Sequence, residues 1–269
     1  MALDVSHRLV FVGGLHRSGT TPLARAIGAH HSVSAFADTG VKEDEGQHLQ
    51  NVYPPAREYG GAGRFALDPR AHLTEASPLV STESADRLLE QWSSNWDDAA
   101  PVWLEKSPPN LIMTRFLQAL FPEARFVVIM RHPLIVALST SKWVGSRPLS
   151  DLMEHWLRAY ELFREDARSV EHIQLVRYEE LVADPSVVLG DVASFIGLDG
   201  SIPADSFDSA RSDAYAERWR AMSESRLPWR SSTAQRLVAT YADRVAAFGY
   251  DMGDLATTFD AARSATDDE

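Results

Sequence analysis

The chain has 269 residues, of which 45% are hydrophobic and 24% charged, as in an ordinary soluble globular protein with a sizeable core. The net charge of −12 argues against a general nucleic-acid-binding surface, because affinity for a phosphate backbone comes from clustered Lys and Arg. The absence of cysteine excludes disulfides and thiolate metal sites and suits a reducing compartment. Since the sequence shows neither a membrane-spanning apolar run nor a basic leader, we expect a soluble, cytoplasmic protein.

Apolar runs without alternation predict strands that are buried on both faces, as in a parallel sheet. These runs are RLVFVGG at 8–14, ARFVVIMR at 124–131 and the less apolar HIQLVRYEEL at 172–181. Helical patterns lie between and after them, at 21–30, 107–121, 133–144, 149–168, 185–198 and 233–250. This alternation predicts a three-layer, doubly wound α/β fold with a mainly parallel sheet flanked by helices.

Two stretches, 38–80 and 199–232, have weak periodicity, and we expect loops in both. The first of them is expected to shape a substrate cleft, since binding residues concentrate in loops carried by a rigid scaffold. The polar residues 256–269 predict a frayed tail, so that residues 1–255 form a single domain.

The first predicted strand ends in a glycine-rich turn, GLHRSG, in which Gly14 and Gly19 enclose four residues with the spacing of a P-loop. Where an ATP-binding loop would place a lysine, Thr20 follows the second glycine, which disfavours ATP hydrolysis. Backbone N–H groups at a helix start, two hydroxyls and a guanidinium nevertheless predict a site for a tetrahedral anion. The predicted anion-binding residues are Arg17, Ser18, Gly19, Thr20 and Thr21. An ordinary glycine turn with an incidental arginine is the alternative.

The pattern R-S-G-T-T after a first strand resembles the 5′-phosphosulfate loop of sulfotransferases that use 3′-phosphoadenosine 5′-phosphosulfate (PAPS). In that family the second long strand ends in an arginine, a serine lies eight residues later, and both bind the 3′-phosphate of the cofactor. Arg131 and Ser139 stand at that separation in VVIMRHPLIVALSTSKW. The resemblance implies a P-loop NTPase-like sulfotransferase fold, PAPS as cofactor, and 3′,5′-ADP as product.

Three later segments extend the resemblance over most of the chain. LEKSPPNL resembles the E-K-S-P stretch of glycan and tyrosylprotein sulfotransferases, whose lysine faces the sulfuryl group, and this implies a catalytic Lys106. VRYEELVADP resembles the family's Y-E-D/E-L segment, which implies that Tyr178 lies near the nucleoside end of the cofactor; a tyrosine at the core edge is the alternative. ARSDAYAERWR is a weaker match to the late loop that closes over the cofactor, and implies Ser212 and Arg218 as ligands.

A hydroxyl acceptor must lose its proton as its oxygen attacks sulfur, so a base should lie near the sulfuryl group. Asp38 is in register with the base glutamate of tyrosylprotein sulfotransferases, but Gly40 replaces the arginine that follows there, which argues against a tyrosine-peptide acceptor. Glu45 has a longer side chain beside the flexible Gly46 and is slightly favoured. His48 corresponds to the base type of another branch of the family. All three stay open as candidates.

These patterns predict a PAPS-dependent sulfotransferase that acts on a hydroxyl of a small molecule, glycolipid or glycan by in-line displacement. Catalysis would be mostly positioning and electrostatics, with Arg17 and Lys106 stabilising the developing charge. Glu43, Glu45 and His48 lack a convincing metal-ligand spacing, so we expect no metal. Two alternatives stay open: a small-molecule kinase on a degenerate P-loop, and a nucleotide-binding protein without turnover.

Overall fold

The computed structural model describes residues 7–145, 147–204, 207, 210–253 and 255. Within them the strands form one parallel sheet in the order β2-β3-β1-β4-β5. The strands are β1 (Arg8–Gly13), β2 (Val33–Ala35), β3 (Val102–Lys106), β4 (Arg125–Met130) and β5 (Ile173–Arg177). The predicted fold class, a doubly wound α/β fold with a mainly parallel sheet, is confirmed.

Helices cover both faces of this sheet. They are α1 (Thr20–Gly28), α2 (Thr82–Ser93), α3 (Thr114–Leu120), α4 (Pro133–Ser141), α5 (Leu149–Asp166), α6 (Tyr178–Ala183), α7 (Pro185–Ile196), α8 (Ala210–Ser223) and α9 (Pro228–Ala246). In β1, Leu9 and Phe11 pack into one apolar core while Val10 and Val12 pack into a second core on the other face. Burial on both faces explains why the strand sequences are apolar without alternation.

Several elements differ from the sequence prediction. The short β2 and the strand β3 were not predicted; β3 ends in the charged pair Glu105 and Lys106, both buried, which concealed its strand character. The predicted helix 107–121 is divided into a 3₁₀ turn, Pro108–Ile112, and α3. The third predicted strand ends at Arg177, because the next residue begins α6.

The two predicted loop regions also differ from each other. Residues 38–80 are irregular apart from short 3₁₀ turns, as expected. Within 199–232, by contrast, the structure places α8 and the start of α9, so the prediction of loops there was wrong. Three apolar residues of α8, Tyr215, Trp219 and Met222, do recur at helical spacing and pack into the core, and α8 also packs against α4 and α9.

Because the strands are parallel, their carboxyl ends meet at one edge of the sheet, which is where ligands bind in open α/β folds. β1 leads there into the glycine-rich turn, β3 ends at Lys106, and β4 is followed by Arg131. Among the described helices, none is long and apolar enough to cross a membrane. The predicted tail, 256–269, lies outside the described residues.

Candidate functional site

The turn after β1 has a backbone that its two glycines make possible. Gly14 has φ +144°, and a Cβ there would lie 2.5 Å from the carbonyl oxygen of Ile129. Gly19 has φ +104°, and its Cβ would lie 2.6 Å from the ring of Tyr178. Arg17 also has a left-handed φ of 72°, a conformation that costs free energy in a residue with a side chain and that occurs often at functional sites. The turn is thus tightly wrapped against β4 and the start of α6.

The N-terminus of α1 opens directly from this turn. Its N-cap residue, Gly19, has no side chain that could accept a hydrogen bond from the first N–H groups. Ser18 is engaged by the core: its N–H donates to the carbonyl of Leu15, and its hydroxyl lies 3.4 Å from that of Tyr160. Thr20 is buried beside the turn. Helix-start N–H groups without a side-chain cap are suited to binding an anion.

The predicted 3′-phosphate residues lie next to the predicted 5′-phosphosulfate turn. Arg17 donates through Nε to the hydroxyl of Ser139 at 2.9 Å. Arg131 donates through Nη1 to the carbonyl oxygen of Arg17 at 3.1 Å, and its guanidinium carbon lies 3.9 Å from the ring centroid of Tyr178. Burial is the main cause that lowers the pKa of Arg131. The structure therefore brings together four residues from three separate segments of the sequence: Arg17, the pair Arg131 and Ser139, and Tyr178.

Lys106, at the end of β3, lies on the other side of the turn and is buried. Its ammonium donates to the carbonyl oxygen of Glu43 at 2.8 Å and to Glu45 Oε1 at 3.4 Å. The hydroxyl of Thr21 donates to the carboxylate of the same Glu43 at 3.4 Å. Two donors at the predicted sulfuryl site thus converge on oxygen atoms of one residue.

The three base candidates have different surroundings. Glu45 and His48 line a cleft with a volume of about 570 Å³, and His48 Nε2 lies 3.7 Å from Glu45 Oε2. Burial raises the pKa of Glu45, an effect that the nearby ammonium of Lys106 opposes. Burial lowers the pKa of His48. Asp38 is exposed, has φ 54°, and is not among the residues that line the cleft.

Glu105, a buried carboxylate one residue before the predicted catalytic lysine, has a role that was not predicted from the sequence. Its Oε1 accepts hydrogen bonds from the Gly46 N–H at 2.9 Å and the Ser107 hydroxyl at 2.6 Å, and its Oε2 accepts from Asn110. The Ser107 hydroxyl in turn accepts from the N–H of Gln47. Burial raises the pKa of Glu105 to about 7. This network fixes the backbone that carries Glu45, and a carboxylate at the end of an apolar strand was the signal for it.

Helix α8 lies over the same region. Arg218 donates to the carbonyl oxygen of Leu138, next to Ser139, at 3.0 Å. Tyr215, which the sequence analysis did not single out, hydrogen-bonds with Ser139 and Arg17. Burial would raise the pKa of Tyr215, but these hydrogen bonds and the nearby Lys142 ammonium outweigh it and lower the pKa. The side chain of Ser212 lies outside the described residues.

The site therefore combines an open helix start, several cations and a buried carboxylate beside a cleft. Such a set of groups can hold a polyanionic ligand and accept a proton from a bound hydroxyl. Within the described ranges, no group of three or more Asp, Glu or His side chains is arranged to hold a metal ion.

The chain is similar in sequence to several curated proteins. It is 24% identical over 202 residues to the protein-tyrosine sulfotransferase of Drosophila melanogaster, covering 71% of this chain and 38% of that protein. It is 23% identical over 201 residues to protein-tyrosine sulfotransferase 2 of Gallus gallus, covering 72% of this chain and 52% of that protein. The chain thus spans only about two fifths to one half of the length of these relatives.

Solved structures share the fold at low sequence identity. The sulfotransferase STF9 from Mycobacterium avium matches with a TM-score of 0.53 and 14% identity, covering 88% of this chain and 76% of that one. The sulfotransferase STF1 from Mycobacterium tuberculosis H37Rv matches with a TM-score of 0.50 and 20% identity, covering 79% and 71%. These matches support the sulfotransferase fold that the resemblance implied. The model of the Sulfotransferase family matches residues 10–201, which include the turn, Lys106, Arg131 and Tyr178. Because this match covers most of the chain, the chain belongs to that family.

Proposed function

We propose that the protein transfers the sulfuryl group of PAPS to a hydroxyl of a small-molecule, glycolipid or glycan acceptor. The observation that carries this proposal is the meeting of Arg17, Ser139 and Arg131 on one side of the turn and of Thr21 and Lys106 on the other. Donors therefore flank the helix start on both sides, as a ligand with two separate anionic groups requires.

The residues present fit such a cofactor. Thr21 and Lys106 already donate to a carboxylate and a carbonyl oxygen of Glu43, which are acceptors of the kind that a phosphosulfate offers. Arg131 and Ser139 would hold the 3′-phosphate, with the ring of Tyr178 against the guanidinium. Guanidinium groups suit this role because they form bidentate, charge-assisted hydrogen bonds with phosphate. Ser18, Gly19 and Thr20 would contribute the backbone of the 5′-phosphosulfate site, and α8 with Arg218 would cover it.

Glu45 is the base in this proposal, with His48 beside it and Asp38 outside the cleft. Bound PAPS would supply an activated sulfuryl group for the acceptor oxygen, with its 5′-phosphate as the leaving group. Glu45 takes the acceptor's proton, while Lys106 and Arg17 stabilise the negative charge on the departing phosphate oxygen. Burial supports this role, because it raises the pKa of Glu45 and so makes the carboxylate a stronger base.

The test of the cofactor is a comparison of 3′,5′-ADP with 5′-ADP in thermal unfolding. A ligand that binds only the native state raises Tm, and at equal ligand concentration the rise grows with the logarithm of its affinity. We expect a larger shift with 3′,5′-ADP, because only that nucleotide occupies the site at Arg131 and Ser139. Equal shifts would favour a kinase-like or general nucleotide-binding protein.

A further inference from the structure

The cleft beside Glu45 is basic, although the whole chain has a net charge of −12. Lys42, Arg57 and Arg147 lie on its wall, and among the described residues that line it Glu45 is the one carboxylate. A cavity of about 570 Å³ is within the usual size range of small-molecule sites. The positively charged side chains therefore line a cavity that is large enough for a small ligand.

Backbone carbonyl groups hold Arg147 in place. Its Nη1 donates to the carbonyl oxygen of Ala62 at 2.5 Å, and its Nη2 donates to that of Gly60 at 2.9 Å. In the described part of the chain no carboxylate lies within ion-pair distance of this guanidinium. Asp151 lines the adjoining cavity with Arg147, but it too is beyond that distance. The charge is thus positioned at the cleft without being neutralised there.

The other two cations are also weakly compensated. The Lys42 ammonium lies 4.1 Å from the ring centroid of Trp143, a contact with an aromatic face rather than with an anion. Arg57 Nε lies 3.6 Å from the carboxylate of its neighbour Glu58, but both side chains are exposed, so the attraction is weak. Trp143 is 46% exposed and provides an aromatic wall next to the charges.

The same cations contribute to lowering the pKa of two histidines in the cleft. The pKa of His48 is lowered first by burial and then by Arg57, Lys42 and Lys106. The pKa of His16 is lowered to about 3, first by burial and then by neighbouring cations that include Lys106 and Lys42. An anion in the cleft would relieve this accumulation of like charge.

These cations are not the ones that the proposed cofactor would use. Arg17, Lys106 and Arg131 are absent from the lining of the cleft. We infer that the acceptor is a small molecule that carries a carboxylate or phosphate group in addition to its hydroxyl. The hydroxyl would lie at Glu45, the anionic group would lie against Lys42, Arg57 and Arg147, and this inference rests on the proposed sulfuryl transfer.

The experiment compares probes that differ in charge and not in size. Isothermal titration measures the affinity of 4-hydroxyphenylacetate and of 4-hydroxyphenylacetamide for the full chain saturated with 3′,5′-ADP. The same pair is measured with the double variant Lys42→Gln/Arg57→Gln, and with Arg236→Gln as a control that removes a positive charge from the exposed face of α9. Binding of 3′,5′-ADP alone is measured first for every protein, so that a failure of the cofactor proposal is recognised separately.

We expect the unmodified protein to bind the acid about tenfold or more tightly than the amide, as one charge-assisted contact implies. The preference should fall to about threefold or less in the double variant and persist in Arg236→Gln, while 3′,5′-ADP affinity stays within about twofold in all three proteins. Equal binding of acid and amide, or no binding of either, overturns the inference even where 3′,5′-ADP binds. The inference is also overturned if the double variant still prefers the acid over the amide as strongly as the unmodified protein does. A loss of 3′,5′-ADP affinity in the double variant would instead assign these cations to the cofactor.

Discussion

Replacing Arg131 by alanine should weaken binding of 3′,5′-ADP far more than binding of 5′-ADP. Arg131 is only 6% exposed, and its guanidinium is fixed between the carbonyl of Arg17 and the ring of Tyr178. A buried phosphate that loses such a partner loses charge-assisted hydrogen bonds worth about 1.5–3 kcal/mol each. With two such bonds, the expected loss is about 3 kcal/mol or more, which corresponds to a factor of about 150 in Kd.

The loss must be separated from a structural effect of the same substitution. Removing the side chain also removes its hydrogen bond to Arg17, which has a charged donor and contributes about 1.5–3 kcal/mol to the free energy of unfolding. Isothermal titration with both nucleotides and urea denaturation of the unbound protein distinguish the two effects. Arg131→Lys is the matched control, because it retains the charge and loses the planar fork of the guanidinium. Its affinity for 3′,5′-ADP should lie between those of the unmodified protein and Arg131→Ala.

An equal loss of affinity for 3′,5′-ADP and 5′-ADP in Arg131→Ala would refute this prediction. In that case Arg131 would stabilise the turn through Arg17 and would make no contact with a 3′-phosphate. It would also be refuted if Arg131→Ala bound 3′,5′-ADP as tightly as the unmodified protein does.

Three further outcomes are expected. Lys106→Ala should reduce turnover about a hundredfold or more and leave 3′,5′-ADP affinity nearly unchanged, because the ammonium meets charge that develops during transfer. Steady-state rates and titration measure the two effects, and normal turnover would place Lys106 outside the site. Glu45→Gln should reduce the rate about a hundred- to ten-thousandfold and remove the acidic limb of the pH–rate profile, whereas Asp38→Asn should have little effect; the reverse pattern would transfer the role of base to Asp38. The pKa of Glu105 is raised from 4.5 to about 7, so the folded state retains a proton that the unfolded state loses, and the free energy of unfolding should fall by about 3 kcal/mol as pH rises from 4.5 to 7. Urea denaturation at several pH values across this range should show that the free energy of unfolding depends less steeply on pH in Glu105→Gln than in the unmodified protein. The same dependence on pH in both proteins would mean that Glu105 is ionised throughout.

The fold and the glycine-rich turn after β1 were predictable because their signals are local. The apolar runs at β1 and β4 and the spacing of Gly14 and Gly19 depend only on neighbouring residues. The separation of Arg131 from Ser139 was likewise visible within a single strand–helix unit. What the resemblance added was the expectation that these segments would lie side by side, and they do.

The rest depended on contacts between distant segments. β3 was missed because its last two residues are charged, and its strand character comes from pairing with β1 and β2. The position of Tyr215 depends on how α8 packs, which its own sequence does not indicate. The basic cleft combines Lys42, Arg57 and Arg147 from separate loops, and the acidic composition of the whole chain does not indicate it.

The most direct test of the account is sulfuryl transfer itself. The full chain is incubated with PAPS and a panel of hydroxyl compounds that includes acid and amide pairs, and mass spectrometry detects products that have gained one sulfuryl group. The account predicts a sulfated product and one equivalent of 3′,5′-ADP, both greatly reduced with Glu45→Gln. Formation of a phosphorylated product from ATP, or a sulfated product at equal rates with and without the Glu45 carboxylate, would contradict it.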